Sequence, residues 1–524
     1  MRLSLLLVWL YSGLTRSHDP SSIPTAENFL RRIGPSVTVI GDYLYIEGGT
    51  MTQLIDGEAD PLYYRPVNET LSISLSQAWS NSPPLAPISK AAPTFIQPLL
   101  WTDIDKQTFY QWGGQRTQPD PTKHEFWAFT ADGRGGGDWS IVQPANPSVF
   151  LGIRRGRGAS WTTCNGLGVA LGGYGWAETD SDLSDRREGN FLPLPGLLSY
   201  NLSTGIWANQ SADAFNGLGT CHKGSAVCLS SSGTQGIVLP LGGLTSSRVV
   251  YNNAHVTLNR FDNLTFYDLG TETWYWQIAS GEIPPGRTAF CSVVLQGPNG
   301  TSEIYIYGGN DLTANAAKGD IYVLSLPGFV WFKLSLSREF PRWGHDCAVG
   351  GRSQIIVVGG QSIWPDGPES LNDPDPWPQG IGVFDLQNLD WSDSYQPDAM
   401  KYQTPRVVDD WYRAGNSSTP NNGASDTSKK APEVATIVGV VLGITLFLAL
   451  VAGLIAFRWR RQALHIHRSS SVRTPLKVLK VRTVRRIKRF NIFEFSAETR
   501  PSELDAQKQP QELESTEVSR HFGS

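Results

Sequence analysis

Ile237-Val238-Leu239-Pro240-Leu241-Gly242-Gly243, followed downstream by Tyr267-Asp268-Leu269-Gly270-Thr271-Glu272-Thr273-Trp274, is one copy of a pattern that recurs along the first 400 residues. Glycine pairs stand at Gly48-Gly49, Gly113-Gly114, Gly172-Gly173, Gly242-Gly243, Gly308-Gly309 and Gly359-Gly360. A tryptophan follows each, at Trp79, Trp139, Trp207, Trp274, Trp331 and Trp391. Steps of 65, 59, 70, 66 and 51 residues separate the pairs. Repeats of roughly 50 residues or a little more, built of short strands, are the signature of β-propeller blades.

Each unit reads as four strands. The second is apolar and ends in the glycine pair, as in Tyr43-Leu44-Tyr45-Ile46, Phe109-Tyr110-Gln111-Trp112, Ile304-Tyr305-Ile306-Tyr307 and Ile355-Ile356-Val357-Val358. β-Branched and aromatic residues suit a packed, pleated surface. Glycine is wanted where the chain must turn in little room at positive φ. The third strand carries Tyr200-Asn201-Leu202, Tyr267-Asp268-Leu269 or Phe384-Asp385-Leu386, each placing its aromatic seven residues before the tryptophan. The Asp or Asn is expected to bond the following turn, and the indole to cover the next blade. Unit one is the weakest copy, with Leu71, Ile73 and Leu75 before Trp79 and no Tyr-Asp pair.

A double glycine, then Tyr-Asp-Leu, then Trp, resembles the kelch repeat, over about residues 36–395. The resemblance implies an all-β fold, a closed kelch-type β-propeller of six four-stranded blades. A seventh blade, or closure by mixing N- and C-terminal strands, stays open. Kelch first strands often carry Arg and His. Arg342 and His345 match, whereas the preceding unit has Arg287 and Phe290. Copper-radical oxidases of the galactose oxidase type also use such a propeller, with two Tyr, a crosslinked Cys and two His. The propeller here offers His124, His222, His255 and His345 in no paired motif, and the 42 residues between Trp391 and Val434 leave no room for that family's C-terminal domain. Asp268–Trp274 also resembles a sialidase Asp-box, but Phe266 stands where Ser is usual, and blade-turn geometry accounts for it. No catalytic residue and no cofactor are assigned. The expected role is recognition of an extracellular protein or glycan, with a copper-radical oxidase or a structural cell-surface protein as alternatives.

The ends of the chain point to export and anchoring. Residues 1–17 read as a signal peptide, since the apolar run from Leu3 is far too short to span a bilayer. After a lead-in (18–35) and the propeller, a stalk rich in Ser, Thr, Asn, Gly and Pro (396–433) leads to residues 434–457, 24 residues without a charge. That run is long enough for one transmembrane helix. Arg458, Arg460 and Arg461 follow it and place the C-terminus in the cytosol. Sequons at Asn68, Asn201, Asn209, Asn263, Asn299 and Asn416 all precede the span, as expected of a single-pass type I glycoprotein at the plasma membrane or along the secretory route. The architecture resembles single-pass kelch membrane proteins of filamentous fungi. Residues 1–457 hold 29 basic and 41 acidic residues, net −12, and residues 458–524 hold 15 and 7, net +8, which together give −4. An acidic outer part argues against nucleic-acid binding. The basic segment 458–489 carries Lys477, Lys480, Arg482, Arg485, Arg486, Lys488 and Arg489, and is expected to contact anionic lipid. The acidic, polar tail 490–524 reads as disordered.

Loops between second and third strands share a face with the links between blades. The longest are 50–67, 174–196, 244–262 and 361–379. Tyr63, Tyr64, Trp176, Trp364 and Trp377 in them are the candidate binding residues, amid acids such as Asp180, Asp182, Asp373 and Asp375. No loop has the ligand spacing of an EF-hand, and no metal is assigned. Five cysteines, Cys164, Cys221, Cys228, Cys291 and Cys347, leave at least one unpaired within a single chain. They are expected to pack as small hydrophobes on first strands. Cys221 and Cys228 bridge only if the chain doubles back, because seven extended residues span about 23 Å.

Overall fold

The computed structural model describes residues 23–60, 64–117, 125–183, 191–247, 256–314, 316–362 and 372–415. The signal peptide, the membrane span, the basic tail, Asn416, Tyr63, Trp364, His124 and His255 lie outside these residues. No helix among the described residues is long and apolar enough to cross a membrane.

Six blade sheets follow one another along the chain, each with four antiparallel strands in simple up-and-down order, and the fifth is extended by the short strand Ser280–Gly281, which pairs parallel with Val330–Lys333. Their first strands are Ser36–Ile40, Leu99–Asp103, Ser160–Cys164, Ser225–Leu229, Cys291–Gln296 and Asp346–Gly350. Each first strand adjoins the next, and the last adjoins the first, so the six form a closed ring about a central axis, the arrangement of a β-propeller. Among the described residues no four-stranded blade mixes strands from the two ends of the ring, which meet instead in a separate short pair, Trp79–Ser80 with Ser394–Tyr395. Turns between third and fourth strands are set by the expected side chains. Asp268 Oδ1 accepts the amides of Gly270 (2.8 Å) and Thr271 (3.0 Å), Asn201 does the same for Ser203 and Thr204, and Asp385 for Gln387. The Asp-box likeness is therefore a blade turn.

The glycine pairs join blade to blade. In every pair the second amide donates to the carbonyl of the link entering the following blade: Gly49 to Phe95, Gly114 to Gly156, Gly173 to Cys221, Gly243 to Arg287, Gly309 to Arg342 and Gly360 to Arg32, at 2.6–3.0 Å. The last of these closes the ring between the sixth blade and the N-terminal segment. Gly172 shows why side chains are excluded: at φ 72° a Cβ there would lie 2.1 Å from the Cys221 oxygen. Two residues further along each link a second ring forms. Gly34, Gln97, Gly158, Lys223, Ala289 and Gly344 all have φ between 53° and 68°. Among them Gln97 donates to Gly34, Lys223 to Gly158, Ala289 to Lys223, Gly344 to Ala289 and Gly34 to Gly344.

Every junction between neighbouring inner strands also has its own side-chain link. Thr38 meets Thr102 at 2.6 Å, and the Thr102 amide donates to Thr163 Oγ1 at 2.9 Å. Ser225 meets Ser292 at 2.7 Å, and Asp346 accepts the Val37 amide at 2.8 Å. The remaining two junctions are covalent: Cys164–Cys228 and Cys291–Cys347 are disulfides, with Cα atoms 5.2 and 5.8 Å apart. This overturns the expectation that the cysteines pack as thiols, except at Cys221, which is free, buried, and in a link rather than a strand.

The tryptophans seal the ring in the direction opposite to that expected, each facing the preceding blade. Trp207 packs on Trp112 and Phe126 of blade two, 5.0 and 4.9 Å between centroids. Trp331 donates to the Phe261 carbonyl beside blade four (2.9 Å), and Trp139 to Thr70 of blade one (3.0 Å). Trp391 meets Tyr307 of blade five at 4.9 Å. Trp79 does not lie on the fourth strand of its blade, which is Ala86–Ser89. It sits on a short strand, Trp79–Ser80, paired with Ser394–Tyr395, and stacks on Tyr395. The segment read as a lead-in contains a strand, Phe29–Ile33, paired with Thr50–Ile55. Residues read as the start of the stalk include the helix Arg406–Arg413, whose Tyr412 hydroxyl accepts the Gly328 amide (3.0 Å), while Tyr402 meets Tyr305 (2.8 Å).

Arginines occupy the start of three links. Arg287 is fully buried and donates to Gly308 O (3.1 Å) and Asp320 (2.6 Å). Arg342 likewise donates to Gly359 O (2.7 Å) and Asp375 (3.2 Å). Arg32, at the corresponding place in the link entering blade one, is equally buried, yet none of its three guanidinium nitrogens has a hydrogen-bond partner. That desolvation pulls its pKa down to about 10.

Candidate functional site

The inner strands enclose a central cavity of about 760 Å³. Its walls carry short hydroxyl and aliphatic side chains, including Thr38, Thr102, Thr162, Ser225, Ser292 and Ala348. At the end where the inner strands begin, the cavity is lined by the links and by the loops joining second to third strands. There Phe191, Leu244, Leu312 and Trp343 provide apolar surface, and Gln97, Arg157 and Lys223 provide polar groups.

The links position these groups. Lys223 and Gln97 belong to the ring of left-handed residues, which holds their backbones around the axis, and Arg157 immediately precedes the Gly158 member. Arg157 Nε donates to Gln97 Oε1 at 2.7 Å and a second guanidinium nitrogen reaches Gln115, so the group is aimed by two neutral amides. Lys223 Nζ lies 5.6 Å from the Tyr174 ring centroid. Neither cation has a carboxylate partner among the described residues. The cavity's acid is Asp346, half-buried on the first strand of blade six. Enclosure by protein pushes its pKa up to about 6, opposed by the amides of Val37 and Cys347.

Of the aromatic residues expected to be displayed, three are described, and two of them, Trp176 and Trp377, are buried. Trp176 is 1% exposed and stacked on Tyr174, with centroids 5.5 Å apart, and both line the central cavity. Trp377 is 7% exposed, under the Arg342 guanidinium at 3.4 Å and 4.7 Å from Trp391. Tyr64 is exposed. The loop acids are engaged by arginines: Asp182 with Arg154, Asp373 with Arg31, and Asp375 with both Arg31 and Arg342. Asp180 accepts the Arg155 amide at 2.9 Å. The described parts of these loops pack on their own scaffold, and no cluster of three or more potential metal ligands occurs among the described residues. His222 and His345 are buried, each with its pKa pulled down to about 3 by desolvation. His345 Nε2 meets Tyr307 O at 3.2 Å, and its ring lies against Gly308 as the Phe290 ring lies against Gly242. Arg157, Lys223 and Gln97 were not anticipated from sequence. The signal for them is positional, since all three fall within one residue of the aligned left-handed site in their links.

No known family profile matches the chain. The solved structure of YjhT aligns with 71% of this chain and 99% of its own, at 12% identity and a TM-score of 0.44. A kelch repeat-containing protein of Arthroderma benhamiae is 28% identical over 204 residues. The chain is thus similar over about a third of its length (36%) to a fungal kelch repeat-containing protein, and the match spans 27% of that relative.

Proposed function

We propose that this chain is an exported, single-pass type I glycoprotein whose kelch-like propeller is a binding module, and that its ligand enters the central cavity at the end where the inner strands begin, carrying an anionic group beside an apolar face. The observation that carries this reading is the pair Arg157 and Lys223, aimed at the cavity with no carboxylate to neutralise them among the described residues. Cations held by neutral amides in a partly desolvated recess attract an anion more strongly than solvated surface cations do. Phe191 and Trp343 beside them suit the flat face of a sugar or an apolar side chain. Both disulfides favour an oxidising compartment. In this reading the tail from Lys477 to Arg489 holds anionic lipid on the cytosolic side, at about 1 kcal/mol per cation near the surface.

The test is a mixed array of acidic and neutral glycans and peptides probed with the purified chain and with an R157A/K223A variant. Saturable hits confined to acidic probes and lost in the variant are expected, with unchanged thermal stability. Hits on neutral probes that survive the double substitution refute the cavity reading. A tail peptide is expected to sediment with vesicles containing phosphatidylserine and to be released by salt. Salt-insensitive or absent sedimentation removes the lipid contact.

A further inference from the structure

The outer strand of blade four, Thr273–Ile278, has the sequence Thr-Trp-Tyr-Trp-Gln-Ile and carries two tryptophans. Trp274 takes the usual sealing position and meets Tyr267 and Phe215. Trp276, two residues on, points to the same side of the strand and is 67% exposed, the most exposed aromatic side chain among the described residues. Ile278 beside it is 50% exposed. An apolar face at the free edge of a sheet is a site for unwanted strand pairing unless something covers it.

The third strand of the same blade, Asn263–Asp268, supplies the cover. Its register pairs Asn263 with Ile278 and Thr265 with Trp276, so Asn263, Thr265, Trp276 and Ile278 share one face. Asn263 and Thr265 are the two defining residues of the sequon Asn263-Leu264-Thr265, and Asn263 is exposed. The sequon thus lies directly across the strand pair from the exposed indole, with Trp276 diagonal to Asn263 at about 7–8 Å, within reach of long side chains. By contrast, the Asn201 side chain is occupied in its own turn.

We propose that Asn263 carries an N-linked glycan whose first N-acetylglucosamine lies flat on Trp276 and Ile278, closing the exposed edge of blade four. The inference rests on the reading that the chain is exported. In the modification, Asn263 Nδ2 bonds to the anomeric carbon of a polyprenyl-pyrophosphate-linked oligosaccharide. The carbon–oxygen bond to the pyrophosphate breaks, polyprenyl pyrophosphate leaves with the bonding pair, and the amide gives up one proton. The attached sugar presents a face of C–H groups, which are attracted to the electron-rich face of an indole.

The test uses the full-length chain expressed in yeast and solubilised in detergent, with glycopeptide mass spectrometry for occupancy and hydroxyl-radical footprinting for Trp276. Trimming with an endoglycosidase leaves one N-acetylglucosamine, which is expected to keep Trp276 oxidation several-fold slower than in an Asn263→Gln variant of unchanged melting temperature. If every sequon is bare, the export reading and the inference fall together. Occupied Asn68, Asn209 or Asn299 with Asn263 bare overturns the inference alone. Equal oxidation of Trp276 with and without the sugar, whether fast or slow, overturns it as well, and slow oxidation in both points to a second copy of the chain as the cover.

Discussion

Arg32 and Arg287 occupy corresponding places in two links, and removing their charges is expected to have opposite effects. Arg287 is paired with Asp320 at 2.6 Å and bonded to the Gly308 carbonyl. Replacing it with Met strands a buried carboxylate, a loss of roughly 3–5 kcal/mol. Arg32 has no such partner, so its burial carries the desolvation cost of a cation without a compensating contact. An Arg32→Met substitution keeps the backbone carbonyl that accepts the Gly360 amide, and fills a similar volume with apolar atoms. Exchanges of buried ionic groups for well-packed hydrophobes stabilise by about 1–4 kcal/mol. For a ring of about 390 residues the unfolding entropy near the melting point is roughly 0.8 kcal/mol/K, so 3 kcal/mol corresponds to about 4 °C. Guanidinium denaturation and scanning calorimetry of both variants read the sign directly. Arg32→Met melting below the parent, by as much as Arg287→Met, refutes the view that Arg32 is an uncompensated charge.

Further outcomes are expected. Gly172→Ala combines positive φ with a Cβ 2.1 Å from the Cys221 oxygen, whereas Gly166→Ala meets nothing within 4 Å at φ 80°. The second should cost only the left-handed penalty of about 1–2 kcal/mol and the first clearly more, measured as the difference in urea midpoint. Asp346 has a folded pKa of about 6 against 3.8 unfolded, so its charge destabilises the fold above pH 6 and not below 3.8. Between those limits the parent should lose up to about 3 kcal/mol relative to Asp346→Asn as pH rises. His222 and His345 act in the opposite sense, because the unfolded chain takes up protons below pH 6.5 while the buried rings resist until about 3. A His345→Gln variant should therefore flatten the acid limb. Peptide mapping without reductant should yield Cys164–Cys228 and Cys291–Cys347. Each closes a loop of about one repeat, and its removal should lower stability by up to about 4 kcal/mol. Cys221, its pKa pushed up to about 11 by burial, should resist iodoacetamide until denaturant is added.

The Tyr-Asp-Leu to Trp spacing disclosed the blades because it serves a local turn, whose chemistry is written in adjacent residues, and the glycine pairs disclosed them because every blade repeats the same close contact with the next link. Non-local features were less legible. Both disulfides join inner strands of neighbouring blades, 64 and 56 residues apart. The seven-residue argument that set aside Cys221–Cys228 stood, but a separation of about one repeat step was the signal for the true pairs. Which neighbour a tryptophan covers depends on the hand of the ring, which no single repeat reveals. Trp176 stacks on its near neighbour Tyr174 in the cavity lining, whereas Trp377 is turned inward by Arg342 and Trp391, packing from separate segments that its own loop does not reveal. Arg157 and Lys223 are conspicuous only once six links are superposed.

The chain departs from the ring at the turn end of blade five, where Tyr412 grips Gly328 and Thr404 adjoins Thr301. The cavity opens at the other end of the axis, where the inner strands begin. Tension on the chain beyond Gly415 would therefore pull first on blade five, a blade stapled to its neighbour by Cys291–Cys347. Such a load would reach the covalently braced side of the ring before it disturbed the mouth that holds Arg157 and Lys223.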